Sequence, residues 1–491
     1  MNHYEEAVYK LAKYNTRRYF LRQCTAGLGA MALGSLLGCG NSQKETAEQT
    51  LFPENPLNVS APHFAPKAKK VIFLHMAGAP SQLELFDYKP KLQELNGKPC
   101  PASLLEGKRF AFLQGTPNMM GPQASFRQYG QSGAWISEHL PHFSTIVDEV
   151  CFLKAMHTDE FNHAPAQLFM HTGSPRLGRP SMGSWVMYGL GSENQNLPGY
   201  VVLTTRSDVS AGKSVYGSGF LPSVYQGVQC RSKGEPVLNL SNPGGIDPEL
   251  RKKSIDIINQ INQKEYEESG DPEILSRISQ YELAFRMQAE VPEVMDISQE
   301  PQWIHDMYGT KPGDFSFANN CLLARRLVER GVRFIQLFDR AWDHHGANPG
   351  NGVTEGLSRA CYNVDKPIAA LIKDLKMRGL LEETLVVWGG EFGRTPMMET
   401  RASGADFKGR DHHSEAFTMW LAGGGVKAGM SLGETDELGY YGIRDRVHVH
   451  DLQATILHCL GLNHERLTYE FQGRSFRLTD VHGKVVKDIL T

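Results

Sequence analysis

The chain has 491 residues, 41% of them hydrophobic, with a formal net charge of −3, eight cysteines and 18 histidines. That charge leaves no basic footprint, which excludes nucleic acid as a partner. The cysteines include no C-x-x-C pair and read as separately buried small hydrophobes rather than a disulfide framework.

The first 39 residues read as an export signal. Thr16-Arg17-Arg18-Tyr19-Phe20-Leu21-Arg22 resembles a twin-arginine signal, which is read by the twin-arginine export machinery. The apolar stretch from Cys24 to Leu37 is shorter than the ~20 residues a spanning helix needs. Leu36-Leu37-Gly38-Cys39 resembles a lipobox, which implies an acylated Cys39 and a membrane lipid anchor, since two acyl chains hold a protein stably. The expected location is periplasmic or cell-surface. Residues 40–66 are polar and carry Pro53, Pro56, Pro62 and Pro66, so they read as a flexible linker. One α/β domain is expected over residues 67–491.

Within it, continuous apolar runs read as strands buried on both faces. They are Val71–Met76, Val150–Ala155, Tyr200–Leu203, Val332–Phe338, Leu385–Trp388 and Phe417–Leu421. Between Val332–Phe338 and Leu385–Trp388, Pro367–Met377 places Ile368, Leu371, Ile372 and Leu375 on one helical stripe, ended by Arg378-Gly379. Residues 246–312 are charged and repeatedly helical, and read as an insertion over the sheet. Strands alternating with helices predict a mainly parallel sheet with helices on both faces. Gly423-Gly424-Gly425 lacks the following Lys-Ser/Thr of a phosphate loop and reads as the end of its strand.

Ligands in such folds gather beyond the carboxyl ends of the strands. Three such ends are rich in acid–base and metal-ligand residue types. They are His157-Thr158-Asp159-Glu160-Phe161-Asn162-His163, Asp339-Arg340-Ala341-Trp342-Asp343-His344-His345, and Gly389-Gly390-Glu391-Phe392-Gly393-Arg394. Gly409-Arg410-Asp411-His412-His413 precedes its strand and is expected to enter as a loop.

The segment 372–393, with Glu382-Glu383-Thr384-Leu385-Val386-Val387-Trp388 before Gly390-Glu391-Phe392-Gly393, resembles the alkaline phosphatase and sulfatase superfamily. So do residues 162–173 and the helix opening at Asp451. Ser192–Gly199 and Gly390–Pro396 resemble an exported bacterial branch, domain-of-unknown-function family fifteen-oh-one, over roughly residues 68–480. The resemblance implies an alkaline phosphatase-like fold, a divalent metal and an anionic ester substrate. Departures stand beside it. Ala77-Gly78-Ala79 occupies the place of a metal-binding aspartate, and His163 the place of the nucleophile.

The surviving ligand candidates are Asp343, His345, Glu391, Asp411, His412 and His413. Imidazoles with carboxylates suit zinc best, with manganese or calcium as alternatives. His163, with the adjacent Asn162, is the expected catalytic acid, base or nucleophile, and Arg394 the expected bidentate anion clamp. His171, His344, His450 and His458 read as structural. Two functions follow: a metal-dependent phosphate or sulfate ester hydrolase, with head-group transfer inseparable from it, or a non-catalytic binding lipoprotein on the same scaffold.

Overall fold

The computed structural model describes residues 55–205, 209–238, 240–242, 245–399 and 407–491. The twin arginines, the apolar stretch and Cys39 lie outside the described residues. The central sheet has nine strands: β1 Lys70–Ala77, β2 Val150–His157, β3 Tyr200–Thr205, β4 Val228–Cys230, β5 Phe334–Arg340, β6 Thr384–Gly389, β7 Phe417–Ala422, β8 Met430–Leu432 and β9 Val447–His448. Their order is β8-β2-β7-β6-β1-β5-β3-β4, with β9 also pairing with β2. Every pairing is parallel except the two made by β7.

All six expected strands are present. β1 shows why their sequences are continuously apolar. Ile72, Leu74 and Met76 enter one core and Val71, Phe73 and Ala77 the other, so alternation faces hydrophobic layers on both sides. Each fully buried Leu or Phe there contributes roughly 1.5–3 kcal/mol. Strands β4, β8 and β9 have two or three residues each and leave no periodic signal.

One face is covered by α5 Phe317–Glu329 and α6 Glu355–Met377; the other by α1 His163–Thr172, α2 Met182–Leu190 and α7 Val449–Cys459. Helix α6 begins three turns before the expected start, with Pro367 inside it. A proline reads as a first-turn residue. Here the buried stripe simply continues upstream through Leu357, Ala360, Cys361 and Val364, and that burial outweighs one lost backbone bond. Between β4 and α5 lie α3 Pro248–Ser269 and α4 Pro272–Met295, each opened by an aspartate cap, Asp247 or Asp271, and a proline.

The later part of the expected linker is fixed to the domain. Ser192 N donates to Leu57 O (2.9 Å), Ser60 N to Leu190 O (3.0 Å) and His63 N to Gly461 O (2.9 Å), while Leu57 is buried. Proline-rich sequence lacks internal bonds, so its backbone is available to neighbouring loops. The six cysteines among the described residues are buried and unpaired.

Candidate metal centre

Strands β6, β1 and β5 are adjacent and in register, with His75 opposite Gly389 and Met76 opposite Asp339. Their carboxyl ends therefore deliver the following segments to one rim. After β5 the chain turns through Ala341 at φ +93°, and Asp343 Oδ1 then meets His345 Nε2 at 2.6 Å while His344 packs against Gly356. After β6, Gly393–Arg394 pairs antiparallel with His412–His413. The expected loop is thus a two-residue strand, and alternation sends its two histidines to opposite sides. Asn162 precedes α1, so His163 sits on its first turn.

Four side chains converge. The Nε2 atoms of His163, His345 and His412 lie 3.2, 2.6 and 3.5 Å from Asp343 Oδ1, and His345 and His412 Nε2 are 3.0 Å apart. A tetrahedral ion with bonds of about 2.0 Å holds its ligand atoms roughly 3.3 Å apart, so the spacing fits one small ion.

The other ring nitrogens point outward to acceptors. His163 Nδ1 meets Glu391 Oε1 at 2.7 Å, His345 Nδ1 meets Glu399, and His412 Nδ1 meets the Phe161 carbonyl at 2.7 Å. A carboxylate or carbonyl only accepts, so each Nδ1 carries a proton and each Nε2 faces inward. Three lone pairs around a carboxylate oxygen repel one another unless a cation or proton lies between them. This carboxylate–histidine arrangement is the support that metal-bound imidazoles ordinarily have.

The electrostatics agree. Burial opposes protonation of His163, but Asp343 and Glu391 outweigh it and lift its pKa to about 9. Burial and the neighbouring Arg394 push His412 down to about 4 against the pull of Asp343. Burial also disfavours the Asp343 anion, yet Arg394 and the three histidines hold its carboxyl far below the usual range. In the metal-free protein, then, His163 carries a second proton, on the Nε2 that faces Asp343, and an entering cation must displace it. Raised from 6.5, that pKa stabilises the metal-free fold fully below pH 6.5, and the contribution is lost as pH rises through about 9. Metal affinity moves oppositely. Titration calorimetry should show it strengthening about tenfold per pH unit between 6.5 and 9, with one proton released per ion; a flat profile contradicts this protonation state.

Several expected roles change. Glu391 is not among the four converging ligands. It is wholly buried behind His163, where it also accepts from Gly78 N (3.0 Å) and Gln167 Nε2 (2.9 Å) and lies 3.4 Å from His75 Nε2. It occupies the region after β1 where Ala77-Gly78-Ala79 replaces the expected aspartate. Gly78, at φ +111°, lets this happen: a Cβ there would stand 2.6 Å from Asp343 N.

His413 points away and meets Tyr440 O at 2.5 Å. Asp411 accepts from Phe112 N (2.8 Å), Leu113 N (2.9 Å) and His412 N (2.7 Å), so its lone pairs hold a loop. That loop sets Phe112 edge-on against His345 and His412. With His345 and Glu399, Asp411 also makes a second close grouping of ligand types.

Arg394 is no open clamp. Its guanidinium donates to Ala79 O (2.9 Å), Gly78 O and Arg410 O (3.1 Å), and to Asp343 Oδ1 (2.6 Å). It fixes Asp343 instead. Glu391 holds His163 Nδ1, while Nε2 is buried, has no hydrogen-bond partner among the described residues and lies 3.2 Å from Asp343 Oδ1, a placing that suits a ligand better than a general base. Asn162 is exposed and makes no cap bond.

His171 is buried against Gln336, and His450 against Gln453. Glu399 and Gln167 were not anticipated. A lone Glu after Met-Met, or a Gln inside an apolar helix, carries no spacing signal. A cavity of about 210 Å³ opens beside the cluster, lined by Gly78, His163, Gln167, Ser210, Arg340 and Asp343.

A mainly parallel α/β sheet with a ligand cluster at its carboxyl rim defines the class of molecule. The chain belongs to the family described as protein of unknown function (DUF1501), whose model matches residues 68–490. No curated protein matches it by sequence.

Solved structures similar to it include alkaline phosphatase from the Antarctic bacterium TAB5 (12% identity, 80% of this chain and 98% of that one, TM-score 0.32). Others are a lipoteichoic acid synthase from Listeria monocytogenes (10%, 86% and 78%, 0.35) and a sulfatase from Pseudoalteromonas sp. (12%, 81% and 68%, 0.35). At such scores the likenesses decide nothing about chemistry, which has to come from the side chains.

Proposed function

We propose that this protein is a metal-dependent hydrolase of phosphate or sulfate esters, exported by the twin-arginine route and held at a membrane through a lipid on Cys39. The observation that carries the reading is the convergence of three inward Nε2 atoms on Asp343 Oδ1, each imidazole held from behind by its own acceptor. His163, His345, His412 and Asp343 would hold the ion, and three nitrogens with one oxygen favour zinc. A divalent ion there supplies Lewis acidity toward an ester oxygen and lowers the pKa of water.

The chain's own groups do the rest. Glu391 and Glu399 fix the ring orientation of His163 and His345. Arg394 aims Asp343 and keeps it ionised. Arg340 and the amide field at the start of α1 give the adjoining cavity a positive edge suited to an anionic ester. His163, as a ligand, no longer offers a nucleophile, so water is the attacking group in this scheme.

Metal-replete full-length protein should turn over aryl phosphates or aryl sulfates, and an Asp343→Ala control should not. Equal rates for the two, or no rate for either, count against the reading. For the anchor, expression with labelled palmitate should mark the native chain and leave Cys39→Ala unmarked; equal labelling removes it. A binding lipoprotein on the same scaffold is the second reading, favoured by the engagement of Arg394 with backbone carbonyls rather than with an open anion site.

A further inference from the structure

The cavity against Asp343 and His163 is small. At about 210 Å³ it falls below the ~300–1,000 Å³ of ordinary ligand pockets, enough for a reacting head group and little more. Next to it, sharing Arg340 and Ala341 as a common wall, lies a groove of about 780 Å³ between α6 and the segments around Tyr308 and Phe317. No chemistry described above uses it.

Its charges are arranged unequally. Three acids line it and keep their charge, but Asp339 and Asp365 are buried and only Glu138 is exposed. Asp365 accepts from His142 N (2.8 Å) and Phe143 N (2.7 Å), Asp339 from the Trp342 indole (2.9 Å), and Glu138 from Ser125 N (2.8 Å). Arg359 and Lys366 have no acidic partner among the described residues. They lie on one face of α6, two turns and so about 10 Å apart, with Tyr362 between them, 83% exposed, and Ser358 and Asn363 alongside. An exposed arginine is ordinarily just solvated. Two cations and a bare aromatic ring along a groove that opens beside a metal centre make a ligand platform.

We propose that this groove binds the remote part of an extended ester substrate, one carrying further anionic groups: its reacting end lies at Asp343, its second anion against Arg359 and Lys366, and a ring stacks on Tyr362. The proposal rests on the hydrolase reading for the reacting end only; the groove's affinity for an anion is measured without turnover.

The probe is sucrose octasulfate, with plain sucrose as the neutral control, titrated into the full chain by calorimetry at two salt concentrations. The octasulfate should bind and sucrose should not, and binding should weaken with salt. Arg359→Glu with Lys366→Glu should raise Kd at least about tenfold, Arg359→Lys should retain most of the native affinity, and each variant should keep the native melting temperature. Unchanged affinity in the double reversal, or equal binding of sucrose, overturns the proposal. Octasulfate binding lost in Asp343→Ala but kept in the double reversal places the anion at the metal centre and also overturns it. If the groove variants behave as stated while no aryl ester is turned over, the groove stands and the hydrolase reading falls.

Discussion

Asp343→Ala should leave the protein folded, without bound divalent metal, and with ester hydrolysis reduced by at least about a hundredfold. Asp343 Oδ1 is the point on which the three imidazoles and the Arg394 guanidinium meet. Removing it takes away the one anionic ligand and leaves Arg394 beside three histidines, a positive surround that repels a cation. Loss of a group merely supporting a ligand already costs about 10–100-fold in metal affinity, so loss of the ligand sets that as a floor. The side chain lies on the cavity side and is partly exposed, so no core collapses with it. Metal content by elemental analysis, melting temperature and initial rates should be read together. Retained metal with lost activity would move Asp343 out of the ligand set.

Glu84→Ala should cost about 3–5 kcal/mol of folding stability. Glu84 and Arg410 are both fully buried and joined through Nη2 (2.6 Å) and Nε (2.9 Å) to Oε1. Glu84 Oε2 also accepts from Gln123 N (2.7 Å). The substitution leaves a guanidinium charge without its counter-ion and an amide without its acceptor. Arg410 also donates to Thr395 O and Gly121 O, so the pair ties the strand carrying His412 to the segment following Arg394. The urea midpoint should drop with an unchanged m-value. The exposed Lys69–Glu383 pair is the control, and Glu383→Ala should leave the midpoint where it is.

How much of this was legible beforehand depended on whether a feature repeats along the chain. Long apolar runs such as Val71–Met76 are local and periodic, so the sheet and the rim at its carboxyl ends can be read directly. Asp343-x-His345 was legible for the same reason, because alternation puts both on one side. The His412–His413 doublet was half legible: the segment could be placed near the site, but its phase depended on pairing with Gly393–Arg394 across the site. The position of His163 is legible, but its contact with Glu391, which arrives from a distant strand end, is not. The residue types of Glu391 and Arg394 suit inner groups. Their burial behind His163 and Asp343 is a long-range fact with no sequence period. The fixing of residues 57–64 was hidden likewise, since proline-rich sequence looks the same whether it is solvated or strapped to a loop.

X-ray absorption on the purified full chain, loaded with one equivalent of zinc and dialysed, tests the metal centre most directly. One ion per chain should be retained, in a four-coordinate shell of three imidazole nitrogens and one carboxylate oxygen at about 2.0–2.1 Å. No retained ion, or a shell dominated by oxygen with fewer than two imidazoles, would contradict it.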